Sequence, residues 1–273
     1  MVKNFLFLLL LCPCFHLIAQ NTNTNAAHSL FEDEAAWRSK MVGVARNYLA
    51  VSAGVSLPQG LYASVYEKEQ AGYAQIGMQA NLNMGYYWSA NMGFCSTVGF
   101  YTNKLNSYNY LPDLYRQLDM IPENGSLQKA QWRNIYLGSG VCLTLPEKKF
   151  TFDLQLMGGI VHATSPHIVY NDPDADNNPI FEQTSKSAVA PALFIGTSLQ
   201  LPLTSNGNWC LVLKGNYVGA KPHFQITQSI NAVDYKVTSN NDFRQSISNF
   251  NLGVGIARQF KYAPNRKKVY HPN

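Results

Sequence analysis

Four polar residues with the chemistry for acyl-ester hydrolysis stand close together near the middle of the chain. They are His162, Thr164, Ser165 and His167. A histidine base beside a hydroxyl nucleophile is the usual arrangement for acyl transfer, and at a membrane surface it would suit modification of lipid A. No acidic partner can be identified in the sequence, and four polar residues that begin a loop give the same pattern. We therefore predict that the protein is not an enzyme and assign no catalytic residue.

Three aspartates further along have the spacing of a calcium-binding loop. Asp172, Asp174 and Asp176 alternate as the first ligands of such a loop do. The required glycine and glutamate are replaced by Asn177 and Gln183, however. The pattern favours a solvated acidic loop, and no zinc, P-loop or dinucleotide-binding motif occurs elsewhere. We assign no metal ligand and no cofactor.

Cysteine is sparse after the N-terminal hydrophobic segment. Cys95, Cys142 and Cys210 remain, and an odd number leaves one thiol unpaired in any case. Cys95 and Cys142 fall on neighbouring predicted strands, so they form either a disulfide or part of the packed interior. We favour packing and keep the bridge as the alternative.

Two opposite charges occur inside otherwise uncharged segments. Asp153 and Lys214 occupy strand positions whose side chains are predicted to point inward. Their two predicted strands are separated by one other strand. A lone buried charge is costly. We therefore predict that Asp153 and Lys214 share a hydrogen-bonded network inside the protein.

The elements that must position these residues are long alternating strands. Residues 76–88 alternate apolar and polar side chains over thirteen positions, whereas ordinary strands have about five or six residues and membrane-spanning strands roughly nine to eleven. Seven other segments repeat the pattern. The eight predicted strands are 48–57, 73–88, 92–101, 132–145, 150–163, 188–201, 209–220 and 247–260.

Charged residues are kept out of these segments. The eight strands contain 104 residues but only four charges, which are Arg133, Asp153, Lys214 and Arg258. The other 150 residues after position 19 contain 32 charges. A lipid-facing surface with a packed interior requires this distribution. The slight excess of basic residues is too small to indicate nucleic-acid binding.

The connectors between the strands alternate in length. They have 15, 3, 30, 4, 24, 7 and 26 residues in chain order. Outer-membrane barrels have long extracellular loops and short periplasmic turns. The pattern predicts an all-β fold, an up-and-down antiparallel transmembrane barrel of eight strands, over residues 47–260.

Aromatic residues near the predicted strand ends favour girdles at the two membrane interfaces. At the short turns these residues are Tyr86, Tyr87, Trp88, Phe150, Phe152 and Trp209. Near other strand ends they are Tyr48, Phe100, Tyr101, Trp132 and Tyr217.

The ends of the chain complete the predicted organisation. Residues 1–19 have the positive start, short apolar stretch and small final residue of a signal peptide. Residues 20–46 form a periplasmic segment with a short helix at 29–41, where Ser29 and Glu32 make a capping box. Residues 261–273 form a basic periplasmic tail.

Several short stretches resemble the outer-membrane β-barrel domain proteins common in Bacteroidetes, within the porin superfamily of OmpX- and OmpA-like barrels. They are residues 53–60, 71–74 and 85–87, together with the signal that ends at Ala19 and Gln20 and the final strand that ends at Phe260. The resemblance covers about residues 46–260 and implies a barrel in the outer membrane. Its motifs are loose and imply no particular role.

These observations predict a structural or interaction protein of the cell outer membrane. A barrel of eight strands is filled by side chains, so the long connectors at 102–131 and 221–246 are the expected binding elements. Two alternatives stay open: an accessory component of a secretion or assembly machine, and a lipid-A-modifying enzyme. The expected partners are outer-membrane lipid and an extracellular or periplasmic protein, with no nucleic acid. We expect a monomer.

Overall fold

A computed structural model describes residues 45–65, 71–89, 91–118, 126–128, 130–147, 150–171, 179–204, 208–231 and 236–262. Within these ranges the chain forms thirteen strands, one α-helix and a single 3-10 turn. The strands are β1 (Ala45–Pro58), β2 (Ala74–Tyr87), β3 (Met92–Leu105), β4 (Ser126–Leu127), β5 (Gln131–Pro146), β6 (Thr151–Thr164), β7 (Ile168–Asn171), β8 (Pro179–Gln183), β9 (Ser187–Pro202), β10 (Trp209–Ala220), β11 (His223–Asn231), β12 (Lys236–Arg244) and β13 (Ile247–Tyr262). The helix is α1 (Ser107–Leu118), and the turn is Gly60–Tyr62.

Several predictions concern residues outside the described ranges. They are the signal peptide, the N-terminal helix, the acidic loop at 172–178 and all but the start of the basic tail. These remain predictions from sequence.

Eight strands close into an antiparallel barrel. Their order around the barrel is β1-β13-β10-β9-β6-β5-β3-β2, so each pairs with its neighbour in the predicted series and β1 pairs with β13. The predicted fold class is confirmed. Strand bounds differ most at β3, which continues to Leu105 instead of ending at residue 101.

The register fixes the tilt of the strands. Paired residues can be followed from strand to strand once around the barrel, starting at Thr144 on β5. The path returns to β5 at Asn134, so the strands are staggered by ten residues over one circuit. With strands about 4.8 Å apart and a rise of about 3.3 Å per residue, this stagger corresponds to a tilt of about 40°. A barrel of this size is narrow enough for side chains to fill its interior.

The outside of the barrel is apolar. On β2, Met78 is 72% exposed and Met84 is 50% exposed, while Gln79, Asn81 and Asn83 between them are buried. The same parity holds along the other barrel strands, as predicted. The exposed outward residues include Leu49, Val51, Val55, Val98, Ile135, Leu137, Val141, Leu154, Leu156, Val189, Leu193, Ile195, Leu252, Val254 and Ile256. An apolar belt of this extent is a lipid-facing surface.

The predicted aromatic girdle is partly wrong. Tyr48, Tyr87, Tyr101 and Trp132 point into the barrel and are buried, because they share the inward parity of their strands and supply the volume that fills the interior. Other members do face outward and are exposed: Tyr86, Trp88, Phe100, Phe150 and Trp209.

At the short-turn end, the cationic side chain of Arg258 lies against the exposed aromatic rings. The Arg258 guanidinium lies 5.8 Å from the ring centroid of Trp209 and 5.3 Å from that of Phe260. An arginine stacked on aromatic rings is well suited to the membrane interface, where its charge reaches water.

The long connectors were predicted as loops, and that prediction is wrong. Five strands within them form a second sheet, the outer sheet, in the order β12-β11-β8-β7-β4. The helix α1 lies in the connector after β3. These elements have a core of their own, which consists of Tyr73, Leu105, Leu114, Ala130, Ile168, Tyr170 and Phe181. Connectors of this length contain enough apolar residues to form a buried core. The search for alternating apolar and polar residues, which finds the barrel strands, does not detect such a core. None of the described helices is long and apolar enough to cross a membrane.

We expect a charge on the outward face of β5 to lower the free energy of unfolding more in the middle of the strand than at its end. Leu137→Arg places a cation near the middle of the apolar belt and should lower the free energy of unfolding by about 2–4 kcal/mol. Leu145→Arg, on the same face near the short turn, should cost about 0–1 kcal/mol. Urea unfolding of the protein in phospholipid vesicles measures both. Equal costs at the two positions would contradict a lipid-facing belt.

Candidate functional site

The interior of the barrel is filled at every level. At the outer mouth, Tyr62 packs edge-on against Trp132, with ring centroids 5.5 Å apart. Tyr136 contacts the rings of Tyr101 and Phe194 in the middle. Large buried rings at both levels indicate a side-chain-filled barrel, as its strand number predicts.

The outer mouth is closed by the connector between β1 and β2. Gly60 has a φ of 59°, which allows the chain to turn inward. Tyr62 then donates a hydrogen bond to Asn103 Oδ1 (3.3 Å) and accepts one from Asn134 Nδ2 (3.2 Å). Burial raises the pKa of Tyr62 above its ordinary value, so the hydroxyl keeps its proton. Sequence reasoning missed this plug, because a tyrosine in a connector has no periodic signal.

A buried carboxylate organises the short-turn half of the interior. Asp153 accepts hydrogen bonds from Thr144 Oγ1 (2.7 Å), Ser198 Oγ (3.0 Å) and Gln200 Nε2 (2.8 Å). Gln200 Oε1 in turn accepts from Gln259 Nε2 at 3.0 Å. Three donors satisfy a charge that would otherwise be costly to bury.

Lys214 belongs to a separate chain of amides. Its amine donates to Asn83 Oδ1, and Asn83 donates to Asn81, which donates to Gln79 Oε1 at 2.6 Å. No hydrogen bond or ion pair among the described residues joins Lys214 to Asp153. Ser198 lies between them in register. Each predicted charge therefore has polar partners, but the hydrogen bonds form two clusters where one was predicted.

Cys95 and Cys142 are free and buried inside the barrel. In register Cys95 faces Gly140 and Cys142 faces Gly93, so the two cysteines are diagonal neighbours. Diagonal residues are about 7–8 Å apart, while disulfides span Cα distances of about 4.4–6.8 Å. Cys210 is a third buried thiol and forms no disulfide.

Three of the four residues of the hydrolase hypothesis have other partners, and the fourth, His162, is exposed on the outward face. His162 points outward from β6, and Thr164 Oγ1 lies 2.9 Å from Ser187 Oγ. Ser165 Oγ accepts from the Lys186 amide at 3.0 Å, and His167 Nε2 lies 3.2 Å from Glu182 Oε1. No described hydrogen bond joins a histidine of this group to a hydroxyl of the group.

The helix α1 is fixed to the outer sheet region by polar and aromatic contacts. Asp113 is buried, accepts from the Tyr73 hydroxyl and pairs with Arg116 Nη2 at 3.1 Å. Tyr115 donates to the Tyr170 hydroxyl at 3.2 Å. These contacts join α1 to both the start of β2 and the strand β7, so the outer elements form one packed unit.

Among the described strands, the outer sheet ends on an edge strand, β12, which is paired on one side. β12 pairs with β11 from Lys236 to Arg244 and has no neighbour on its other side among the described strands. Nearly all of its residues are exposed. Sequence reasoning predicted no strand here, because most of its residues are polar or charged and the segment buries no apolar face.

Main-chain groups at this edge face solvent at alternate residues. The Gln245 amide donates to the Pro222 carbonyl at 3.1 Å. Residues 222 and 245 are therefore a hydrogen-bonded pair that continues the ladder between β11 and β12. Pair types alternate along an antiparallel ladder. The N–H and C=O groups of Thr238, Asn240 and Asp242 therefore point away from β11, toward the free edge.

No family model matches the chain, and no curated protein matches it. Solved structures do resemble it. A major outer membrane protein from Thermus thermophilus is 16% identical, with a TM-score of 0.46, over 79% of this chain and 99% of that one. Neisserial surface protein A is 11% identical, with a TM-score of 0.41, over 80% and 97%. The outer membrane protease OmpT from Escherichia coli is 7% identical, with a TM-score of 0.44, over 80% and 96%.

The strand pairing and the apolar belt define the class of this protein. A closed antiparallel barrel of eight strands, apolar outside and polar inside, is an outer-membrane β-barrel. The protein is located in the outer membrane. The barrel strand β1 begins at Ala45 and β13 ends at Tyr262, both at the end of the barrel that has the short turns. Short turns are periplasmic in such barrels, so we expect the outer sheet at the extracellular end.

We expect the Asp153 carboxylate to stabilise the barrel. Asp153→Asn replaces an acceptor-only group that faces three donors by an amide with one acceptor oxygen. The free energy of unfolding should fall by about 1.5–3 kcal/mol. Asp242→Asn, the same change at an exposed position of β12, should alter it by less than about 0.5 kcal/mol. Urea unfolding measures both, and indistinguishable effects would contradict a structural role for Asp153.

Proposed function

We propose that this protein is an interaction protein of the outer membrane that holds an extended segment of an extracellular partner along β12. The observation that carries the proposal is the free edge of β12. There the N–H and C=O groups of Thr238, Asn240 and Asp242 point away from β11 and have no partner among the described residues. An extended peptide can add to such an edge through main-chain hydrogen bonds.

The edge is held in place by a packed support. The Phe224 and Phe243 rings stack at 5.2 Å and fix the base of the β11–β12 hairpin to the barrel core. β8 pairs with β11 at Gln228–Ile230 and connects the hairpin to the rest of the outer sheet. A rigid edge loses little conformational entropy on binding.

The side chains of β12 limit what can bind there. An exposed flat apolar edge promotes self-association, and polar residues reduce it. Along β12 the exposed residues include Lys236, Ser239, Asn240, Asn241 and Asp242, with Val237 the main apolar one. The expected partner is therefore a polar extended segment recognised mainly through its main chain.

Panning of phage-displayed random decapeptides against the protein in nanodiscs tests this function. The double variant Thr238→Pro and Asn240→Pro removes two outward N–H donors without removing a main-chain hydrogen bond of the hairpin, since edge strands tolerate proline. It also removes the exposed side-chain bonds of Asn240 with Thr227 (2.9 Å) and of Thr238 with Ser229 (3.5 Å). Two main-chain hydrogen bonds at about 1 kcal/mol each correspond to a loss of affinity of about thirtyfold. Selected peptides should therefore bind the double variant about thirtyfold more weakly.

Tyr108→Ala is the control variant, because Tyr108 is 86% exposed on α1 and lies outside the sheet. It should leave peptide affinity unchanged. Peptides that bind the double variant as well as the wild type, or that depend on Tyr108, would overturn the assignment to β12.

The remaining parts of the proposal come from sequence. We infer a barrel of the Bacteroidetes type within the porin superfamily, on the basis of the short stretches that resemble that group. We further propose that it is monomeric and, because the sequence offers no complete catalytic site, not an enzyme. The accessory-component alternative depends on the N-terminal helix and the basic tail, which lie largely outside the described residues. The lipid-A alternative lacks a described histidine–hydroxyl pair to support it.

A further inference from the structure

Cys95 and Cys142 are diagonal neighbours on the paired strands β3 and β5, and both side chains point into the barrel. Both are 1% exposed and neither is oxidised. Each stands opposite a glycine on the neighbouring strand, which leaves room above the sheet for the two sulfurs to approach. A side chain at Gly93 would begin 3.1 Å from Cys142 Sγ, so this thiol already covers the glycine.

The surroundings of the pair are aromatic on one side and polar on the other. Tyr87 is buried beside Cys142, and its ring lies 6.1 Å from that of Tyr48. Two buried charged groups lie near the pair: the amine of Lys214 is close enough to Cys95 to act on it, and the Asp153 carboxylate is close enough to act on both thiols. The thiols therefore lie in a buried site with one positive group, Lys214, and one negative group, Asp153, nearby.

We propose that Cys95 and Cys142 bind one soft monovalent cation, copper(I) or silver(I), as a two-coordinate dithiolate. Thiolates are the ligands that select copper(I). Zinc requires four ligands in a structural site, and no group of three or more potential metal-ligating His, Cys, Asp or Glu side chains occurs among the described residues. Two sulfurs without further ligands fit a cation that accepts linear coordination.

Binding releases two protons, since each thiol gives up its hydrogen as the metal–sulfur bond forms and no electron is transferred. The product, one cation with two thiolates, has a net charge of −1, which the Lys214 ammonium favours and the nearby Asp153 carboxylate opposes. Entry is from the periplasmic end, because Cys95 is close to the start of β3 at Met92 and Cys142 is close to the end of β5 at Pro146.

Metal retention by the full chain in detergent micelles tests the site. The reduced protein is exposed without oxygen to copper(I) as its acetonitrile complex, or to silver(I) in chloride-free buffer, and is then desalted. Wild-type protein should retain one metal ion per chain and show a thiolate-to-copper charge-transfer band. Cys95→Ser and Cys142→Ser should each reduce retained metal at least tenfold and abolish the band.

Cys210→Ser is the matched control, since Cys210 is the third buried thiol at the same end of the barrel. It should retain the metal as the wild type does. A shift in gel migration on boiling shows that each variant has folded, and Cys95→Ala replaces the serine variant if that one does not fold. Three results would overturn the proposal: no retained metal in the wild type, metal retention by the Cys95 and Cys142 variants that equals that of the wild type, or a Cys95–Cys142 disulfide in the protein as isolated.

Discussion

The structure depends on one constraint: every main-chain hydrogen bond of the membrane-embedded wall must be made between strands. Hydrocarbon offers no alternative partner, so an open sheet edge within the membrane would leave unpaired N–H and C=O groups. Pairing of β1 with β13 removes that edge. Closure then fixes the two faces, because side chains of period two must alternate between lipid and interior. The apolar belt around Leu137 and Met78 and the amide chain from Lys214 to Gln79 are two results of the same alternation.

Inside the closed wall, the two buried charges are hydrogen-bonded to other side chains in place of water. Asp153 has three donors and Lys214 has an amide acceptor, so neither charge is left uncompensated. Glycines opposite the inward cysteines give room for the two thiols. At the outer mouth, Tyr62 closes the interior with hydrogen bonds to strands β3 and β5. The barrel is thus a rigid support, and the free main-chain groups on which the proposed function depends lie outside it on β12.

The wall could be predicted well from sequence and the outer elements poorly, for a physical reason. In the eight barrel strands, lipid on one side forces alternation at every second residue, so the pattern is visible without any knowledge of contacts. The outer sheet has no such uniform solvent. β8 and β11 are stabilised by residues far apart in sequence, as in the pairing of Gln183 with Gln228. Tyr62 and the diagonal placement of Cys95 and Cys142 depend on the register, which parity alone cannot give. The inward direction of Tyr48 and Trp132 was readable from parity, but their positions near strand ends favoured the interface.

Heat-modifiable migration of the protein from a carbonate-washed outer-membrane fraction tests the central claim most directly. A closed barrel with a lipid-facing belt stays in the washed membrane, resists dodecyl sulfate without heating and changes its mobility after boiling, because only heat opens the β1–β13 closure. Protein released by the carbonate wash, with the same mobility before and after boiling, would contradict a membrane barrel and indicate a soluble β-sandwich.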